Sequence, residues 1–207
     1  MKMAEEETVL EEEISEEEKA QETKKSRDEK RRSFLWELFT NSLFLLAVLV
    51  LTLLIVKYVG QRTVVVGQSM EHTLYNGDNL IVDKISYRFR DPKRFEVVVF
   101  PYAYEEKTYF IKRVIGLPGE TVRIDDGVIY INGEPLVENY GAEKIRSGGL
   151  ASEEIKLGSD EFFVMGDNRN NSKDSRDPSV GNVKKSDLIG RAWVRIFPFD
   201  EIGFVKH

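Results

Sequence analysis

From Leu38 to Val56 the chain reads LFTNSLFLLAVLVLTLLIV, nineteen residues without a charge. At 1.5 Å of rise per residue, a helix of that length crosses about 30 Å of hydrocarbon. A buried core helix is usually shorter and keeps a polar stripe, and the apolar part of a cleaved leader is shorter still and ends at small residues. Here the run exits into Lys57-Tyr58-Val59-Gly60-Gln61-Arg62. The segment 33–59 therefore reads as a retained, single-pass membrane helix. Lys24, Lys25, Arg27, Lys30, Arg31 and Arg32 precede it, against only Lys57 and Arg62 just beyond. The positive-inside bias puts residues 1–32 in the cytoplasm and residues 60–207 outside, at the cell membrane. Within the first part, EEETVLEEEISEEEK has too few apolar residues to offset the entropy of ordering, which predicts a solvated, disordered tail.

A length of 207 residues suits one domain with appendages. The formal net charge is −6, but much of the charge sits in the first thirty-two positions, so the total says little about partners. No basic stripe with interleaved aromatics follows residue 60, which argues against nucleic-acid binding. The absence of cysteine excludes disulfides, thiolate zinc sites and cysteine nucleophiles. No set of histidines and acidic residues has metal-ligand spacing, so neither metal nor cofactor is expected.

Beyond residue 60, short runs rich in Val, Ile, Phe and Tyr alternate with turn residues. NLIVDK (79–84), FEVVVF (95–100), TYFIKRVI (108–115), TVRID (121–125), GVIYI (127–131), EFFVM (161–165) and LIGRAWVRIF (188–197) each have the length and composition of a strand. Asn132-Gly133 marks a tight hairpin, since a type I′ turn needs positive φ at both central residues. The expected fold is mainly β, a coiled antiparallel sheet assembly or partly open barrel behind one N-terminal transmembrane helix.

Three segments carry candidate chemistry. In GQSMEHTL (67–74), Ser69 is either a turn-capping hydroxyl or a nucleophile, and a serine becomes nucleophilic only beside a base. Of the two histidines, His207 is terminal and His72 lies in the same local turn, which leaves lysine as the base to consider. Lys112, in YFIKRVIGLPGE, shares a strand face with Phe110 and Val114, while Arg113 shares the other with Ile111 and Ile115. Alternation alone leaves open whether Lys112 is solvated or buried. Burial would lower its pKa, and a fall from about 10.4 to about 8 costs roughly 3 kcal/mol. Finally, GDNRNNSKDSRD (166–177) reads as a polar loop in which Asp167, Arg169, Asp174 and Arg176 can form bidentate pairs, and Ser172 or Ser175 can present a hydroxyl to an amine.

In this order, and with the apolar segment upstream, GQSMEHTL, RFEVVVF, KRVIGLPGE and GDNRNNSKDSR resemble the sequence boxes of the type I signal peptidases, membrane-bound serine proteases that remove signal peptides from exported proteins. The resemblance covers nearly all of the chain except its acidic tail. It implies that Ser69 is the nucleophile, Lys112 the neutral general base and Ser172 the group that orients the amine. Asp174 and Arg176, with Asp167 and Arg113, would hold the site together. Met70 and Leu74, with Phe110 and Ile111, would line a pocket for a small residue before the cut bond. An extended peptide would add between the edges Val64–Gly67, including Val65 and Val66, and Tyr109–Ile111. Preprotein signal peptides and the lipid bilayer are the implied partners, cleavage after A-x-A the implied specificity, and a monomer the implied working form.

Two positions depart from the family pattern. His72 stands where proline is usual, which loosens the local φ constraint and adds a titratable ring. Gly67 stands where some members place a serine that helps bind the oxyanion, so backbone N–H groups, that of Ser69 first, must do so. Two other functions fit parts of the pattern. A self-cleaving Ser-Lys regulator would carry a DNA-binding domain instead of the apolar segment. A non-catalytic relative serving assembly of surface structures would commonly lack the lysine.

Overall fold

The computed structural model describes every residue except Met1, Ala142 and His207, and no side chain of residues 2–26, 28 or 29. His207, set aside above as a base, thus lies outside the described residues. The chain forms two compact units, one up to Leu53 and one from Leu54 on. Helix α1 (Lys2–Tyr58) contains the whole apolar run. Its part from Lys30 to Tyr58 is long and apolar enough to cross a membrane. The helical backbone also continues through the glutamate-rich tract, where composition predicts a disordered tail. The two facts rest on different physics. A tract with so few apolar residues cannot build a core, yet Glu, Lys, Ala and Gln are good helix formers locally.

The second unit is built from β1 (Gly60–Val64), β2 (Asn79–Asp83), a one-turn helix α2 (Ser86–Phe89), β3 (Val97–Pro101), β4 (Tyr109–Gly116), β5 (Thr121–Asp125), β6 (Val128–Ile131), β7 (Glu134–Pro135), β8 (Ile155–Lys156), β9 (Glu161–Met165), β10 (Val183–Lys184), β11 (Gly190–Phe197) and β12 (Gly203–Phe204). A large sheet runs β1-β2-β11-β3-β4-β9-β10, with β12 against β11, and a small one runs β7-β6-β5-β8. Every pairing is antiparallel. Neither sheet closes into a barrel, so of the two expected forms the open, coiled sheet is the one present. At the predicted hairpin, Asn132 and Gly133 have φ of 52° and 82°, and Ile131 faces Glu134 across it.

The continuous apolar run of β3 follows from burial on both faces: Val97 and Val99 enter one core cluster, Val98 and Phe100 another. Strand β4 lies beside it, with Val97 opposite Arg113 and Pro101 opposite Tyr109. On its other side β4 meets β9 only from Arg113 onward, where Arg113 faces Met165. Tyr109–Lys112 therefore has a strand neighbour on one side alone. Strand β1 is likewise the outer strand of the large sheet. These two open edges frame the site.

Candidate active site

After β1 the chain is held against residues 77–78, with Val65 N–H donating to Asp78 O at 2.8 Å and Gly77 N–H to Val65 O at 2.9 Å. It then turns through Gly67, whose φ of +95° suits a residue without a Cβ. Glycine, where some members of the resembled family place serine, thus has a backbone reason here as well as a chemical consequence. The Gly67 N–H is taken by Asn76 Oδ1 at 3.0 Å. Thr73 and Leu74 N–H both donate to Met70 O, at 3.0 and 2.8 Å, and this tight turn presents Ser69.

Lys112 Nζ lies 2.6 Å from Ser69 Oγ and donates to its neighbour's carbonyl, Ile111 O, at 3.0 Å. The lysine is 3% exposed, and its amine sits over the Phe110 ring, 4.9 Å from the centroid. Burial pushes its pKa from 10.5 down to about 8, against the upward pull of the Asp174 and Asp167 carboxylates. A lysine in that state is neutral often enough near neutral pH to take a proton from a hydroxyl within hydrogen-bond reach.

Behind the pair, the polar loop folds around buried charges. Arg113 donates to Asp167 through Nε at 2.8 Å and Nη2 at 2.6 Å, and both side chains are fully buried. Thr73 Oγ1 donates to the same carboxylate at 2.5 Å, which ties the nucleophile turn to it. Arg176 pairs with Asp174 through Nε and Nη2, each at 2.8 Å, and Asp174 also accepts from Gly166 N–H at 3.0 Å. Arg169 reaches Gly166 O at 3.0 Å and forms a two-point pair with Glu138. The loop holds the serine's own backbone as well: Asn168 N–H donates to Ser69 O at 3.1 Å, and Asn168 Nδ2 to Gln68 O at 3.2 Å. A Cβ on Gly166 would overlap both the Ser69 carbonyl and Ser172 Oγ, so this approach requires glycine.

A cleft of about 690 Å³ opens over Ser69 and Lys112, walled by Val64–Gly67 on one side and Tyr109–Ile111 on the other, with Met70 below. Three sequence expectations change here. Leu74 is absent from the cleft walls: it is 1% exposed and belongs to the core with Leu80 and Val82, because the turn closed on Met70 O carries it inward. Ser172 does not bond the lysine amine. Its Oγ is buried beside Gly166 without a hydrogen-bond partner, and the amine's contact besides Ser69 Oγ is Ile111 O. No sequence signal could have shown that carbonyl, since every residue has one. His72 has φ of +82°, so the backbone occupies a region closed to proline and has not merely lost its constraint. Its ring borders a separate hollow with Tyr75, Arg195 and Glu201, away from Ser69. Among the described residues no group of His and acidic side chains could hold a metal.

A serine hydroxyl within hydrogen-bond reach of a buried lysine, in a cleft beside strand edges with a neighbour on one side alone, is suited to hydrolytic chemistry on an extended peptide. The family described as "Signal peptidase, peptidase S26" matches residues 35–197. The chain is 43% identical to a probable signal peptidase I-2 of Synechocystis sp. over 153 residues, 72% of this chain and 68% of that protein. It is 41% identical to signal peptidase I of Leptolyngbya laminosa over 70% of this chain and 73% of that one, and 36% identical to signal peptidase I P of Bacillus subtilis subsp. natto over 74% and 85%. A solved signal peptidase I from Enterococcus faecalis V583 aligns at 32% identity and a TM-score of 0.42, over 49% of this chain and 97% of that one. The chain belongs to the signal peptidase family, peptidase S26, and is a signal peptidase hydrolase.

Proposed function

We propose that the protein is a membrane-anchored serine endopeptidase that removes signal peptides after A-x-A sequences by a Ser69–Lys112 dyad. The carrying observation is the 2.6 Å separation of Ser69 Oγ and Lys112 Nζ within the cleft. The neutral amine takes the Ser69 proton as Oγ attacks the scissile carbonyl. A tetrahedral oxyanion forms, and the protonated amine gives the proton to the leaving nitrogen as the acyl-enzyme appears. Water, deprotonated by the same amine, then releases the signal peptide and restores the serine. Among the described residues nothing accepts from the Ser69 N–H, which leaves it free to donate to the oxyanion, whereas the Gly67 N–H is already bound by Asn76.

Substrate enters as a strand between Val64–Gly67 and Tyr109–Ile111. Alternate side chains of a strand point the same way, so the first and third residues before the cut meet the protein. Val65, Met70 and Ile111 form apolar walls at the cleft that admit Ala and reject larger groups sterically. A non-catalytic assembly role is less well supported, because Lys112 is both retained and seated on the serine. In the test, purified full chain is given a preprotein with an A-x-A site. Cleavage should occur there, disappear in Ser69→Ala, and fail when the Ala before the cut is replaced by Phe, while changing the middle residue has little effect. Equal cutting of the Phe substrate would remove the assigned pocket, and cutting by Ser69→Ala would remove the nucleophile.

A further inference from the structure

Away from the cleft, a second hollow of about 420 Å³ is lined by Lys84, Arg88, Lys185 and Ser186 together with Tyr87, Leu188 and Ile189. Its charge is largely uncompensated. Neither Lys84 nor Arg88 has a carboxylate partner among the described residues. Lys185 pairs with Asp91 at 2.5 Å, but on an exposed surface. The buried acids nearby are already engaged: Glu96 with Arg90 and Arg191, and Asp83 with Arg191 and Ser86.

The hollow is fixed to residues 57–59, which follow the apolar run. Lys84 N–H donates to Val59 O at 2.9 Å, and Lys84 Nζ donates to Lys57 O at 3.1 Å. The Arg88 guanidinium lies over the Tyr58 ring, 5.8 Å from its centroid, with Lys57 Nζ 5.1 Å from the same ring. The apolar run ends at Val56, and a tyrosine directly after such a run sits at headgroup level. Cations in contact with residues 57–59 are therefore held at the height of lipid phosphates, whichever face of the membrane the unit occupies.

We propose that this hollow binds the phosphodiester headgroup of an anionic phospholipid, with Lys84, Arg88 and Lys185 around the phosphate and Leu188 and Ile189 against the glycerol end. The proposal rests on reading α1 as a membrane anchor. It gives the anchored unit a fixed rotational setting at the bilayer surface, which the single helix alone does not supply.

The test follows the Tm of the full chain in neutral detergent with dihexanoyl phosphatidylglycerol, dihexanoyl phosphatidylcholine or inorganic phosphate added. Phosphatidylglycerol should raise Tm in a saturable way, and phosphatidylcholine should not. Replacing Arg88→Gln and Lys185→Gln together should weaken the apparent affinity about 25-fold, at about fivefold per lost charge. Cleavage of a soluble peptide by that variant should stay unchanged, which shows that it is folded. An equal shift from inorganic phosphate at the same concentration would overturn the lipid assignment. No shift in the unaltered chain, or the same shift in the double variant, would overturn the site. Flotation of the full chain with neutral phosphatidylcholine vesicles separates the two readings: a chain that does not float fails as an anchored protein, and one that floats without a phosphatidylglycerol shift fails only at the hollow.

Discussion

At 3% exposure Lys112 has lost nearly all of its hydration, and that loss lowers the pKa of its amine, as the proposed base role requires. Lys112→Arg keeps the charge, but the guanidinium stays protonated at any usable pH. It should lower kcat by about a hundred- to ten-thousand-fold, the usual worth of a general base, and wild-type turnover would remove the dyad. In the native chain kcat/KM should rise with pH through about 8, the value to which burial brings the amine. A pH-dependent rise that vanished in His72→Ala would move the role to His72. The same shift has a cost in stability. The folded chain releases the lysine proton at about 8 and the unfolded chain near 10.5, so between those values the unfolded state holds more protons and stability rises with pH. Lys112→Met should thus be more stable by up to about 3 kcal/mol below pH 8, less about 1 kcal/mol for the unpaired Ile111 carbonyl. The gain should fade by pH 10.5, as followed by Tm at pH 7 and pH 10.5. Ser69 and Lys112 were legible through the order of the sequence boxes that hold them and their resemblance to the type I signal peptidases, since strand alternation alone left the burial of Lys112 open. The Ile111 carbonyl was not, since a backbone acceptor leaves no trace in residue identity.

Among the elements, β4 and the loop after β9 are joined by the buried Arg113–Asp167 pair, and the loop is closed on itself by Arg176–Asp174. The sequence shows the loop's density of forks and carboxylates, but not every partner. Asp174 and Arg176 are two residues apart and their pairing is local, whereas Asp167 finds Arg113 across 54 positions and Arg169 finds Glu138 across 31. Such pairings depend on topology, and no spacing rule reaches them. For the same reason Leu74, apolar and close to the nucleophile, reads as a pocket wall until the turn on Met70 O is known. The strain of a half-removed pair gives a sharp expectation. Asp167→Ala leaves the fully buried Arg113 guanidinium without its counterion and should destabilise by about 3–5 kcal/mol. The double change Arg113→Met with Asp167→Leu removes both charges and should recover most of that loss. A double variant as unstable as the single one, by Tm, would show that the clasp holds the fold through something other than its charges.

For the molecule as a whole, the strands with strong signals are those buried on one or both faces, and the ones left unread are short or lie at an edge. β7, β8, β10 and β12 have two residues each, and β1 is the polar GQRTV at the margin of the large sheet. The insertion of β11 between β2 and β3 was equally unreadable, because pairing partners far apart in sequence are chosen by packing of the complete sheet. The membrane segment lies at the other extreme, since its length and lack of charge are set by the solvent and need no partner. The orientation expected from the basic cluster before it is open to a clean test, because the chain contains no cysteine. A single Val137→Cys, at a position 90% exposed, should react with a membrane-impermeant maleimide on intact spheroplasts. A single Ser15→Cys, ahead of the cluster, should react only after lysis. That pattern places the Ser69 cleft on the side where exported preproteins emerge, and the opposite pattern would place it where no translocated substrate could reach it.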